Sequence, residues 1–536
     1  MDRLRSALLA AAVCLPACAA QAVRVHPYPQ KFRTFYAMGD PEVPPALMQE
    51  PQRLPAGGVN CMAAAHDGAI WLGSDRGLMR VDLSAEPEDR RQYFAGKRYL
   101  PDDQVATIAP DAAGGVWVRT ATGVSHIELR PMTLDQKAGY FEQRIHARHD
   151  RYGLVATSIL REPGDLQTNR LDPSDNDGLW TAIYAAAECF RYAVTRSPEA
   201  LANATKSIEA VLFLEQVTGR PGFPARSYIR KGDFREPDGI WRWTPDHRYE
   251  WKADTSSDEI VGHFFLFSVA WDLLPDSELK PHIAGTVARI TDHIVGHGYN
   301  LTDIDGKPTT WGRWSRDYFE SETGKPDSPL NALELLSFLK TAAHITGQSK
   351  YEAEYRKVAF DLKYLAQTTR LAELTHEINY SDEELAMLSF YPVFQYEHDA
   401  HYLEFYRRAA HQWWRNIQRE KNPLWTFIYQ LSQPAQTPDL DGAVRTLYRI
   451  PMDMIEWTVR NSERRDVILD SGKDRFRQAQ SANLLPADER PVMKWNGNPF
   501  VIDGGNGGRT EDDGAFFLLP YWMGRYLGMI ETEDGR

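Results

Sequence analysis

The fold expected from the sequence is mainly α: an (α/α) toroid of helical hairpins that follows a small β-rich N-terminal domain built from repeats. Three observations predict it. Apolar or amphipathic segments with helical periodicity occur in pairs from Ser174 onward. Links within a pair are short and links between pairs are long. Upstream, a short-strand pattern centred on Trp71 returns at Trp117, 46 positions later.

Taken in order, the first pair covers residues 177–195 and 199–218, broken at Ser197-Pro198 and closed by Gly219. The second covers 257–274 and 279–297, the third 329–346 and 350–369 around Gly347, and the fourth 382–397 and 400–419. Asn422-Pro423 opens a further helix, 451–460 reads as another, and 515–530 is a closing apolar helix, which allows five to seven hairpins and favours an incomplete or complete set of six pairs. The long links, 220–256, 298–328 and 370–381, must all fall at one end of antiparallel hairpins. This pairing resembles the (α/α) toroids of glycoside hydrolases and polysaccharide lyases. That resemblance implies an active site at the long-loop end.

In the N-terminal repeat, Val59, Gly68, Trp71, Gly77, Leu78 and Val81 correspond to Val105, Gly114, Trp117, Gly123, Val124 and Ile127. The unit is similar to the repeats of two-component-regulator propellers, with a G-x-x-W-x-x-T-x-x-G-V/L pattern in which the first copy has Ser74 for Thr120. Two blades cannot close a ring, so they are expected to pack on the helical part and cover their edges. The expected division is a signal peptide at 1–22, the repeat domain at 23–134, an irregular connector at 135–173 and the toroid at 174–536.

The chain has 536 residues with 43% hydrophobic and 25% charged, ordinary for a globular protein of more than one domain. A formal charge of −13 argues against nucleic acid as a partner. Fifteen Trp and 24 Tyr suit sugar-ring platforms as well as cores. Arg3 and Arg5 before an apolar run, with Ala20-Gln21-Ala22 after it, predict a secretory signal and hence a periplasmic or secreted protein. Leu15-Pro16-Ala17-Cys18 loosely resembles a lipobox, the minor alternative. No later run has the ~20 apolar residues of a membrane span. Cys61 and Cys189 are expected as free thiols.

Five segments should meet on one rim: Asp175 with Asp177; WKADTSSDEIVGHFF (251–265); WGRWSRDYF (311–319); HEINYSDEE (376–384); and DGGNGGRTEDDG (503–514). In the second, Ser256 and Glu259 have capping-box spacing, and Glu259 and His263 share a helix face as an acid/base pair. Acids in a first turn also complement the helix dipole without catalysing anything. In the third, Arg313 and Arg316 suit a carboxylate while Trp311 and Trp314 suit a sugar face, unless these residues merely pair and seal the hairpin. Trp251, Tyr380, Asn506 and Arg509 complete the expected substrate contacts. The glycine-rich loop lacks a P-loop ending and EF-hand spacing, so neither nucleotide nor metal is expected, although its oxygens permit calcium.

Two enzyme readings fit. A uronate lyase would use Arg313 or Arg316 to neutralise the carboxylate and His263 with Tyr318 to exchange protons. An inverting glycosidase would set Asp254 or Glu259 against Asp512 or Asp513 around a water. The combination of propeller-type repeats and an exported toroid is similar to enzymes that degrade rhamnose–glucuronate-type polysaccharides, which tips the reading narrowly to the lyase. The third possibility is a non-catalytic glycan-binding or assembly protein.

Overall fold

The computed structural model describes residues 22–48, 58–375, 377–433, 438–492 and 494–532. The signal segment and Cys18 lie outside the described residues, apart from the boundary residue Ala22.

The repeat becomes two four-stranded antiparallel sheets. After β1 (Val23–Arg24) and β2 (Tyr28–Tyr36), the strands β3 (Cys61–Ala64), β4 (Ile70–Ser74), β5 (Gly77–Val81) and β6 (Arg91–Phe94) form one sheet in sequence order. Strands β7 (Val105–Pro110), β8 (Val116–Thr120) and β9 (Val124–Met132) form the other, with β2 added beside β9. The 46-residue spacing persists in the register: Trp71 faces Arg80 as Trp117 faces His126. Ser74 and Thr120 each donate a hydroxyl hydrogen bond to the glycine carbonyl three residues on, at 3.0 and 3.1 Å. This shared contact explains why Ser can replace Thr at that position. The sheets share a core of Trp71, Leu78, Phe94, Val105, Val116 and Ile127. Among the described residues they close no barrel or propeller ring.

The helices are α1 (Leu134–Arg148), α2 (Asp177–Thr195), α3 (Pro198–Gln216), α4 (Ser257–Leu273), α5 (Leu279–Gly296), α6 (Arg316–Glu320), α7 (Ser328–Thr346), α8 (Ser349–Arg356), α9 (Tyr364–Gln367), α10 (Leu371–Leu374), α11 (Tyr380–Tyr396), α12 (Ala400–Ile417), α13 (Pro423–Ser432), α14 (Leu440–Arg449) and α15 (Ala515–Tyr526). Six of them touch in a cycle: α2 on α4, α4 on α7, α7 on α11, α11 on α13, α13 on α15, and α15 back on α2. Their sequences explain this inner position. In α4, every residue from Ser257 to Ala270 except Asp258 is buried, so the helix has no solvent face to offer. In contrast, α12 buries one stripe, Tyr402, Tyr406, Ala409, Trp413 and Ile417, and lies outside. Gly347 ends α7 in the left-handed conformation, φ 65°, which lets the chain turn into α8.

Three expectations need correction: first, residues 451–460 form no helix and end in the strand Val459–Arg460. The segment foreseen as an irregular connector contains α1, opened by a capping box between Thr133 and Gln136. Its stripe Leu134, Ala138, Phe141 and Ile145 is buried and the helix packs on α15; interleaved polar residues hid that period. The helix expected over 350–369 stops at Arg356 and continues as a π-turn, Lys357–Asp361, before two shorter turns. Cys61 and Cys189 are free thiols, the second fully buried. No described helix is long and apolar enough to cross a membrane.

The sheets join the helices through buried charge. Arg449, ending α14, donates to Asp89 and Asp488 at 2.8 Å each and to Glu489 at 3.2 Å. Lys31 of β2 reaches the same Asp488. Burial alone would raise the Asp488 carboxyl, but Arg449 and Lys31 hold it well below its usual range. Lys137 of α1 donates to Gln30 of β2 and to the carbonyls of Leu447, Tyr448 and Ile450. Lys137→Met should therefore lower unfolding free energy by about 1–3 kcal/mol, because it orphans buried acceptors; urea denaturation measures this.

Candidate functional site

At the amino ends of the six ring helices, side chains from one helix cap or perturb those of the next. Asn176, before α2, accepts from the Ser256 hydroxyl at 2.9 Å and donates to Asp258 at 3.5 Å. The Ser256 hydroxyl is thereby diverted, and the expected capping box is absent. Asp258 and, on α11, Asp382 are half-buried; Glu334 on α7 and Glu384 on α11 are buried. Burial raises Glu334 and Glu384 to about 8, with the charge of Asp258 adding to both. Burial, then Asp327, and further along Asp258, raise Asp382 to about 7. Glu383 faces Glu420, just before α13, and both are pushed well up by burial. Asp512, before α15, is raised to about 6 by burial and by Asp513.

These acids have few neutralising partners. Glu334 accepts from the Trp314 indole at 2.7 Å, but its other oxygen and Glu384 Oε1 have no hydrogen-bond partner. Lys494 is the cation that acts on Glu384, Asp512 and Glu456. Its ammonium lies 4.3 Å from the centre of the Trp180 ring on α2, and Trp495 meets Phe516 edge-on at 5.8 Å. Arg475 acts on Asp382 and Asp327 from the tip of a hairpin formed by strands Leu469–Lys473 and Ala479–Ser481. A cavity of about 50 Å³ opens among Glu420, Asn422, Lys494, Trp495 and Phe516. Among the described residues, no three His, Cys, Asp or Glu side chains are grouped to hold a metal.

The residues foreseen for the site are placed unevenly. Asp512 and Asp513 reach the cluster, although Asp513 also accepts from the Ala515 amide at 2.6 Å as an end cap of α15. Tyr318 borders it: its hydroxyl donates to Asp327 at 3.0 Å, and the Arg313 guanidinium lies 4.6 Å from its ring. Tyr380 is buried beside Glu420 and Glu383. Trp314 is fully buried and works through Glu334.

Others are committed elsewhere. Asp254 accepts from the Thr310 amide and hydroxyl at 2.8 and 2.9 Å. Arg316 pairs with Glu320 at the surface, and Trp311 is exposed. Trp251 is buried in a strand, Tyr249–Lys252, that pairs with the strand Trp241–Trp243, and buried Asp177 binds Arg151 and Ser227. Asn506 donates to Glu456 at 2.8 Å, and Arg509 is exposed. Glu259 and His263 are wholly inside the α2–α4 contact. Glu259 accepts from the Gly178 amide at 3.1 Å, and His263 Nδ1 donates to the Glu259 carbonyl at 2.6 Å. Burial drives the Glu259 carboxyl well up and His263 down to about 4, so the imidazole is uncharged at neutral pH. Neither side chain reaches solvent.

Sequence reasoning placed Asp258, Asp382 and Glu384 within rim segments without giving them a role, and passed over Glu334, Lys494 and Trp180. The available signal was an acid in the first two turns of successive all-apolar helices, at 258, 334 and 382–384.

No protein-family model matches the chain, and no curated protein matches it. Among solved structures, it is similar to a D-mannose isomerase at 11% identity and TM-score 0.40, over 74% of this chain and 96% of the other. It is also similar to an unsaturated glucuronyl hydrolase specific for heparin, at 10% and 0.39, over 73% and 95%. A metagenome-derived glycoside hydrolase family 9 endoglucanase covers 93% of this chain and 96% of its own, at 12% and 0.34. Likeness at this level has no bearing on chemistry, so function must be read from the chain's own residues.

The raised carboxyls have a measurable consequence. They keep their protons to higher pH when folded than when unfolded, so the folded state binds more protons between about pH 4 and 8. Their contribution to stability is therefore lost as pH rises through that window. Glu384→Gln should flatten the decline and be more stable than the parent at pH 8, as read from denaturant midpoints across pH.

Proposed function

We propose that the chain is a carbohydrate-active enzyme whose six ring helices form an (α/α) toroid, with acid–base chemistry at their amino ends. The observation that carries this is the meeting of two half-buried carboxyls, Asp258 and Asp382, with acids whose burial keeps them protonated near neutrality. In a glycosidase one carboxyl must donate a proton to the leaving oxygen while another, ionised, activates water. Asp382, at about 7, suits the acid. Asp258, hydrogen-bonded to Asn176, takes the base role. Trp180, whose ring lies under the Lys494 ammonium, and Trp495 are aromatic rings near Lys494.

Elimination from a uronate is the second reading, favoured by Arg475 and Lys494, which border the acids and would neutralise a sugar carboxylate. Arg313 and Tyr318 lie at the edge of the same cluster and belong to this reading. Export, based on residues 1–22, is part of the proposal, as is a β-rich unit preceding the catalytic helices.

The test is product analysis on neutral and uronate-containing glycans, following reducing ends together with the ultraviolet absorbance of an unsaturated uronate. Hydrolysis gives reducing ends alone, and elimination gives both signals. Asp258→Asn and Asp382→Asn should each lower kcat by about 10²–10⁴-fold with circular dichroism unchanged. Full activity in both variants would overturn the assignment, and binding without either product signal would favour a glycan-binding protein.

A further inference from the structure

A second cavity, of about 210 Å³, lies where β2, α1 and the chain after α14 meet, outside the acidic cluster. Its wall includes Arg33, Arg98, Arg144 and Arg148, with Asp453 and Glu511 as the carboxylates facing them. Lys31 also lines it, but its ammonium is engaged by Asp488. Both carboxylates are already occupied. Asp453 accepts from Arg33 at 3.2 Å and from the Trp457 indole at 3.0 Å. Glu511 accepts from Arg148 at 2.7 and 2.8 Å, with Arg144 Nε at 3.3 Å. Four guanidiniums therefore face two carboxylates.

The excess appears as unused donors. Arg98 is 2% exposed; its Nη1 donates to the carbonyls of Asp488 and Arg490, while Nε and Nη2 have no partner. Arg144, 4% exposed, donates through Nη2 to Tyr140 and Met452, while Nη1 has no partner. A buried guanidinium N–H without an acceptor is costly. Donors arriving from two separate elements, the β6–β7 connection and α1, suit an acceptor with oxygens in several directions. Arg33, Arg148 and Leu166 are only half-buried and leave the cavity a way in.

We propose that this cavity binds a tetrahedral oxyanion, phosphate or sulfate, either free or as the ester group of a sugar, held between Arg98 and Arg144. A dianion cancels the excess of two positive charges and accepts from the unused N–H groups, and the volume leaves room beyond the anion for part of a sugar ring. The site ties the sheets to α1 and stands apart from the carboxyls assigned to bond cleavage.

The full chain is titrated with sodium phosphate, sodium sulfate and glucose 6-phosphate against sodium chloride at equal ionic strength, by calorimetry and thermal melting. A saturable heat and a rise in Tm absent with chloride are expected, weakened at least tenfold in Arg98→Gln. Tighter binding of the sugar ester than of inorganic phosphate identifies the substituent as the ligand, and the reverse identifies the free ion. Because Arg98 also holds two carbonyls, Arg33→Gln at the opening serves as a second variant, expected to fold and to bind more weakly. No saturable binding beyond the chloride control, or binding unchanged in every variant that folds, overturns the proposal.

Discussion

Six helices that touch in a cycle gather acids at the amino ends of α4, α7, α11 and α15, and burial by the neighbouring helices sets the protonation of those acids. Acids near a helix amino terminus are stabilised by the backbone dipole, and Asp258, Asp382 and Asp513 occupy such positions. Yet the ring also removes water from them, and the balance is visible in Glu334 and Glu384, which burial keeps protonated to about 8. The same arrangement that allows acids to gather thus holds some of them protonated where an exposed carboxyl would be ionised.

The β-rich part is fastened to this ring by ion pairs removed from solvent rather than by a broad apolar face. Arg449 joins three carboxylates, and Lys31 and Lys137 reach from β2 and α1 into the same region. Removing one partner of such a network leaves an uncompensated buried charge, so the two parts should lose structure together. The cavity lined by Arg98 and Arg144 belongs to this junction, where cations outnumber the acids that face them.

Much of the architecture was legible in the chain. The register of the two sheets follows the 46-residue repeat, because strand pairing copies the spacing of Trp71, Gly77 and Leu78 onto Trp117, Gly123 and Val124. Helix starts at Asp177, Ser257 and Ala515, and the turn at Gly347, agree with local cap and breaker signals. Helix α1 was not legible, since its four buried apolar positions are interleaved with Asp135, Lys137, Glu142 and Arg144, which read as a polar linker although the last three are buried too.

WKADTSSDEIVGHFF shows where local reading stops. Its residues determined that a helix begins at Ser257, because Asp258 and Glu259 suit a first turn and the apolar run that follows cannot be solvated. They did not determine which way each acid faces. Asp254 was claimed by Thr310, 56 positions on, and Glu259 with His263 was drawn into the contact made possible by the missing side chain of Gly178. Asp258 was left at the mouth. Periodicity along one chain records which residues share a face; which face meets water depends on neighbours that arrive from α2, α7 and α11, and only the closed packing of those helices settles it.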